Sequence, residues 1–124
     1  MTRVDGRRAL TALQTDDIRT ALAMAERCTR LRFALYLGAP VGPRRHFAER
    51  LHAALGDDAP RAVLIYVDLD GRGLELVTGE LARALLPDGQ CRLTAMAMAA
   101  SMRLGRVVDA ILSGIGMLGS AGAR

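Results

Sequence analysis

The sequence predicts a three-layer α/β/α sandwich, in which a mixed sheet made of a βαβ unit and one antiparallel hairpin strand carries helices on both faces. Three observations point there. The stretch "LRFALYLG" sets Leu31, Phe33, Leu35 and Leu37 against Arg32, Ala34 and Tyr36, the two-residue period of a strand with one better buried face. "AVLIYV", residues 62–67, is an unbroken apolar run of strand length, which suits a central strand covered on both sides. Between them a Gly/Pro loop leads into a helical stripe, so the connection is a right-handed crossover and the two strands run parallel, side by side or with another strand between them.

The elements follow in order. Residues 1–14, with Gly6 and the pair Arg7-Arg8, show little periodicity and read as a loose lead-in. Thr15 then offers a hydroxyl N-cap, Asp16 and Asp17 complement the helix dipole, and Ile18, Ala21, Leu22, Ala25 and Cys28 form an apolar stripe. After the first strand "GAPVGP" breaks the pattern, and Pro43 suits the first turn of a second helix whose stripe is Phe47, Leu51, Ala54 and Leu55, with Gly56 just beyond its end. After the apolar strand, Asp70-Gly71 supplies turn residues and "GLELVTG" returns antiparallel. "GELARALLPD" is a short helix stopped by Pro87, and Asp88 can cap the next. In that helix Leu93, Met96, Ala97, Ala100 and Leu104 share a face; Ala95, Met98 and Met102 are apolar too, so burial on most sides is expected. Val107, Val108, Ile111, Leu112, Ile115 and Leu118 stripe the last helix. One domain is expected over residues 15–120, with 121–124 fraying.

Composition excludes several functions. With 51% hydrophobic and 24% charged residues, the 124-residue chain has the make-up of a folded domain rather than a disordered one. All seventeen basic residues are Arg, and the net charge of +4 is uneven: ten Arg face five acids through Gly56, seven face eight after it. The aromatics are only Phe33, Tyr36, Phe47 and Tyr66, in strand or helix-core positions, so no stacking platform for nucleic acid is expected. The longest charge-free run, residues 110–123, is shorter than the roughly 20 residues a bilayer span needs, and the start has no apolar leader. Cys28 and Cys91 form no Cys-x-x-Cys pair and read as free thiols in a reducing cytoplasm.

Several motifs suggest chemistry and then fall short of it. "VLIYVDLDG" resembles the haloacid dehalogenase signature, in which Asp68 would attack phosphorus and Asp70 would act as acid/base beside Mg²⁺. Gly71 and Arg72 follow where a hydroxyl residue is usual, there is no Lys to steady a phosphoryl intermediate, and no acidic pair follows at a second strand end. As an EF-hand the same stretch places Arg72 at loop position five and Gly79 where the bidentate Glu belongs. "GIGMLG", residues 114–119, is a literal G-x-G-x-x-G lying inside a helical stripe, where small residues for close helix packing explain it. His46 and His52 are about 240° apart on one helix and cannot pair on a metal, which leaves them as solvated side chains. "GAPVGPRR" leads from a strand end into a helix start, with Arg44-Arg45 adding charge for an anion. No Ser or Cys has a base beside it, so no catalytic residue is assigned.

The runs "TRLRFALYLG", "AVLIYVDLDGRGLELVTGELARALL" and "LTAMAMAASMRLGRVVDAILSGIGML" resemble the TPM domain family, most closely its short soluble actinobacterial branch of unknown function, over about residues 13–120. The resemblance implies an α/β sandwich; among the family's associations are acid phosphatase activity, calcium, and roles in assembly. It also marks a departure. Where many TPM domains have Gly-Asp at the last helix junction, this chain has Gly105-Arg106, which leaves Asp68, Asp70, Asp88 and Asp109 as the remaining carboxylates for Ca²⁺ or Mg²⁺. The functional expectation is a cytoplasmic, non-enzymatic module that binds a partner protein or itself, with neither cofactor nor nucleic acid nor membrane span. Its alternative is a metal-dependent phosphoester hydrolase using Asp68 and Asp70.

Overall fold

Alternation along the strands divides the molecule into two cores. The structure, a computed structural model, describes residues 2–4 and 10–124. Strands β1 (Thr2–Val4), β2 (Arg32–Leu37), β3 (Ala62–Asp68) and β4 (Gly73–Thr78) form one sheet in the order β1-β2-β3-β4, parallel except for the β3–β4 hairpin. β2 and β3 are direct neighbours, in register from Arg32↔Ala62 to Leu37↔Val67. On one face Phe33, Leu35, Leu37, Val63, Ile65 and Val67 pack against α1 (Ala12–Thr29), α3 (Asp88–Arg103) and α4 (Val107–Ala121). On the other, Ala34, Leu64, Tyr66 and Val77 pack against α2 (Arg44–Ala53) through Ala48, Phe47 and Leu51. This is the expected α/β/α sandwich, and all seven residues of β3 are buried, as a strand covered on both faces must be.

The first differences lie at the two ends. The stretch read as a lead-in holds strand β1, and α1 begins at Ala12 rather than after Thr15. Thr11 is the N-cap, and its capping box with Gln14 satisfies two backbone N–H groups reciprocally (Gln14 N to Thr11 Oγ1, 3.0 Å; Thr11 N to Gln14 Oε1, 3.1 Å). That reciprocal pair outweighs the acids after Thr15. Gly6, Arg7 and Arg8 lie outside the described residues. At the C-terminus the expected fraying is replaced by docking: Gly122 lies against Thr29 and Leu86, where a Cβ would crowd both, and the Arg124 N–H donates to Cys28 O at 2.9 Å.

Two helix faces also differ. α1 buries Ile18, Leu22, Ala25 and Thr29, and Cys28 is exposed. Thr29 can be buried because its hydroxyl donates to Ala25 O at 2.7 Å and accepts the Leu31 N–H at 3.1 Å. In α3 the expected face is the outer one. The buried residues are Thr94, Met98 and Met102, whereas Leu93, Met96 and Leu104 are 60%, 63% and 70% exposed. Pro87, rather than Asp88, occupies the N-cap position. The orientation of α3 is fixed by α4, whose Gly114 leaves a hollow filled by the Met98 side chain, and the Thr94 hydroxyl donates back to Gln90 O at 3.0 Å. Gly119 likewise packs on Ala25, so Gly114 and Gly119 of "GIGMLG" serve close helix packing, as expected, whereas Gly116 faces open space.

The free edge of β4 is covered by side chains. The Gly79 N–H donates to Ala62 O, so with the β3–β4 register the backbone groups of Leu74, Leu76 and Thr78 point outward. Arg45 Nη1 donates to Leu76 O at 2.9 Å and Arg83 Nη2 to Thr78 O at 3.2 Å. The bulk of two guanidinium groups thus stands where another strand would pair.

Candidate functional site

The carboxyl ends of parallel strands are the usual place for a site in an open α/β sheet, and here the β2–α2 loop and the β3–β4 turn meet there. The loop is tied to β3 twice: Gly38 N donates to Val67 O at 3.2 Å, and the Tyr66 hydroxyl donates to Gly38 O at 2.7 Å. Tyr66 stands in an aromatic cluster with Tyr36 and Phe47, ring centroids 5.6–6.0 Å apart. Burial, reinforced by Asp68 and opposed by Arg44, pushes the Tyr66 phenol up to about 12. In the unfolded chain it titrates near 10, so its contribution is fully present below pH 10 and is lost as pH rises through 12. Tyr66→Phe leaves the Gly38 carbonyl without its donor and is expected to cost about 1–2 kcal/mol at neutral pH. It also flattens the decline in stability between pH 10 and 12, which urea titrations across that range would read.

The turn after β3 is wider than the Asp70-Gly71 hairpin expected. Residues 69–72 form it, and Arg72, not Gly71, takes the left-handed conformation (φ 51°). Asp68 shapes the turn by accepting the Gly71 N–H on Oδ1 at 3.0 Å. Its other oxygen faces Arg44, whose Nε lies 3.6 Å from Oδ2. The Arg44 guanidinium lies over Gly73 and beside Gly71, in space that a Cβ at Gly73 would fill, and its Nη2 reaches Gly71 O at 3.5 Å. Gly71 and Gly73 therefore lack side chains so that an arginine from the start of α2 can lie against a carboxylate that is only 5% exposed.

The four sequence-selected carboxylates are not brought together. Asp68 is engaged as described, Asp70 is exposed in the turn, and Asp88 and Asp109 stand in the first turns of α3 and α4. Among the described residues, no three His, Cys, Asp or Glu side chains gather into a group that could hold a metal ion. Of the histidines, His46 is exposed, but His52 is buried, its Nε2 donating to Ala62 O at 3.0 Å, and so is not the solvated residue expected. Cys91 lines a hollow of about 310 Å³ with Arg45, Glu75, Asp88 and Arg92. Burial and then Asp88 raise its pKa against the pull of Arg45, so it stays a thiol at neutral pH.

The outer face of α3 is the second feature of note. Leu93, Met96, Ala97, Ala100 and Leu104 are exposed on it, and Arg92 and Arg103, eleven residues apart, fall on the same flank three turns apart. After Asp88 the helix carries no acidic residue. Sequence reasoning found these residues but assigned them to the core. It missed Arg44 as the partner of Asp68, whose one signal was the Gly-x-Gly spacing of the turn.

Solved structures of other proteins share the fold. BA42 protein from the psychrophilic bacterium Bizionia argentinensis is 20% identical with a TM-score of 0.83, over 95% of this chain and 84% of that one. The N-terminal domain of a protein from P. gingivalis is 21% identical with a TM-score of 0.81, over 97% and 80% of the two chains. The N-terminal domain of cg2496 protein from Corynebacterium glutamicum is 10% identical with a TM-score of 0.81, over 98% and 79%. No curated protein matches the chain. No helix among the described residues is long and apolar enough to cross a membrane. A family model described as "Domain of unknown function (DUF5130)" matches residues 8–119, and the chain belongs to that family.

Proposed function

We propose that the chain is a TPM-like interaction module without catalysis of its own, docking the outer face of α3 onto a protein surface that is apolar and rimmed by carboxylates. The exposure of Leu93, Met96 and Leu104 carries this reading, because large side chains clustered on one helix face are the mark of a docking surface. Met96 adds an adaptable side chain at its centre. The arginine flank specifies the partner's charge. A second copy pairing antiparallel through the same helix would offer only one carboxylate, Asp88 at its first turn, whereas an acidic rim would supply partners to both Arg92 and Arg103. The engagement of Asp68 by Arg44 and the Gly71 N–H favours this reading over a phosphoester hydrolase, in which Asp68 must face substrate. The free thiols of Cys28 and Cys91 suit the cytoplasm.

A photo-crosslinking residue at position 96, with exposed Thr20 as the comparison position, tests the reading in cells. The expected result is one protein captured from position 96 only, joined through an apolar segment with acidic flanks, and lost on Arg92→Glu with Arg103→Glu. Crosslinks solely between copies of the chain would replace the acidic partner by self-association. Equal capture at both positions, or a metal-dependent phosphatase activity abolished by Asp68→Asn, would overturn the proposal.

A further inference from the structure

We propose that an arginine-lined hollow at the opposite end of the sheet, where β2 and β3 begin, binds a small phosphate-bearing molecule. The hollow measures about 530 Å³, within the range of about 300–1,000 Å³ typical of ligand pockets, and exceeds what a phosphate alone fills. Arg27, Arg30, Arg32 and Arg61 line it with Glu26 and Asp58. Four arginines outnumber the two acids, and each acid has a partner of its own. Glu26 accepts the Phe33 N–H at 2.9 Å, and Asp58 stands 3.9 Å from Arg32. Among the described residues no carboxylate comes within ion-pair distance of Arg27, Arg30 or Arg61.

Nor are these arginines used up in capping α1. The carbonyls of Ala25, Glu26 and Cys28 are taken by the Thr29 hydroxyl, the Arg30 N–H and the Arg124 N–H. Arg30 ends α1 as a left-handed C-cap (φ 64°), a position that favours Gly or Asn, and thereby stands at the rim of the hollow. Guanidinium groups grasp carboxylate and phosphate oxygens alike in pairs, so it is the gathering of four arginines around one concave space that favours a multiply charged, phosphate-bearing ligand over a singly charged carboxylate. The four aromatic residues belong to β2, α2 and β3, none of them lining this hollow, so stacking for a nucleic-acid strand is not part of it.

The test is thermal unfolding of the full chain with pyrophosphate and with inorganic phosphate at matched ionic strength. The expected result is a rise of several degrees, larger with pyrophosphate, and at least about a tenfold loss of affinity in Arg30→Gly combined with Arg61→Ala. Arg30→Gly suits the left-handed backbone, so the unliganded variant should melt no lower than Arg61→Ala alone. Absence of any shift, or an equal loss on substituting the exposed Arg19 by Ala, would overturn the proposal. So would duplex DNA or phosphatidylglycerol vesicles binding more tightly than pyrophosphate through the same two arginines.

Discussion

Met98→Ala is expected to destabilise the fold by about 2–5 kcal/mol, whereas Met96→Ala, two residues away, should change stability by less than about 0.5 kcal/mol. The contrast follows from which side of α3 each residue occupies: Met98 is 1% exposed and Met96 63%. Met98 fills the space left by Gly114 on α4, and α4 has no side chain there to relax into the void. Truncation thus removes apolar burial and leaves a cavity. At position 96 a solvated thioether is exchanged for the best helix former, which offsets what little contact is lost. Urea midpoints at constant slope read both numbers. The reverse order would mean that α3 packs through its Leu93–Leu104 face, and the docking surface would vanish with it.

Gly79→Ala is expected to cost about 3 kcal/mol or more. Close approach is the reason, since a Cβ at Gly79 would run into the carbonyl oxygens of Ala59 and Pro60. Backbone carbonyls cannot rotate aside as a side chain can, and these are fixed by the contacts of the turn, including Leu81 N to Pro60 O at 2.8 Å. Any retreat also stretches the Gly79 N–H bond to Ala62 O at 2.9 Å, the one that closes β4 against β3. Gly116 provides the control. It lies on the exposed side of α4 with nothing within 4 Å of an added Cβ, so Gly116→Ala should stabilise by about 0.5–1 kcal/mol. Denaturant titrations of the two variants side by side separate a steric effect from a general effect of losing glycine.

What could be read from the sequence follows physical lines. Strand alternation is dictated by the backbone itself, so "LRFALYLG" declares its two faces without knowledge of what covers them. The all-apolar "AVLIYV" similarly announces cover on both sides. In α3 the same logic fails because Leu93 and Met96 are as apolar as Met98 and Met102; only the hollow at Gly114, sixteen residues further on, decides between them. The start of α1 was legible as Thr11-x-x-Gln14, yet the acids after Thr15 made a competing signal. The pairing of Asp68 with Arg44 joins residues from two different loops, which no local pattern encodes.

The covering of the β4 edge by Arg45 and Arg83 has a bearing on how the chain survives before it is fully folded. Arg83 follows β4 directly and can cover Thr78 early, but Arg45 comes from α2, on the face opposite to α1, α3 and α4, so cover over the middle of the edge arrives only when that single helix docks. A partly folded chain in which β2–β4 have zipped but α2 is still loose presents Leu74 and Leu76 as an open template for pairing with another chain. The smaller of the two cores therefore guards the molecule against aggregation, out of proportion to the apolar surface it buries.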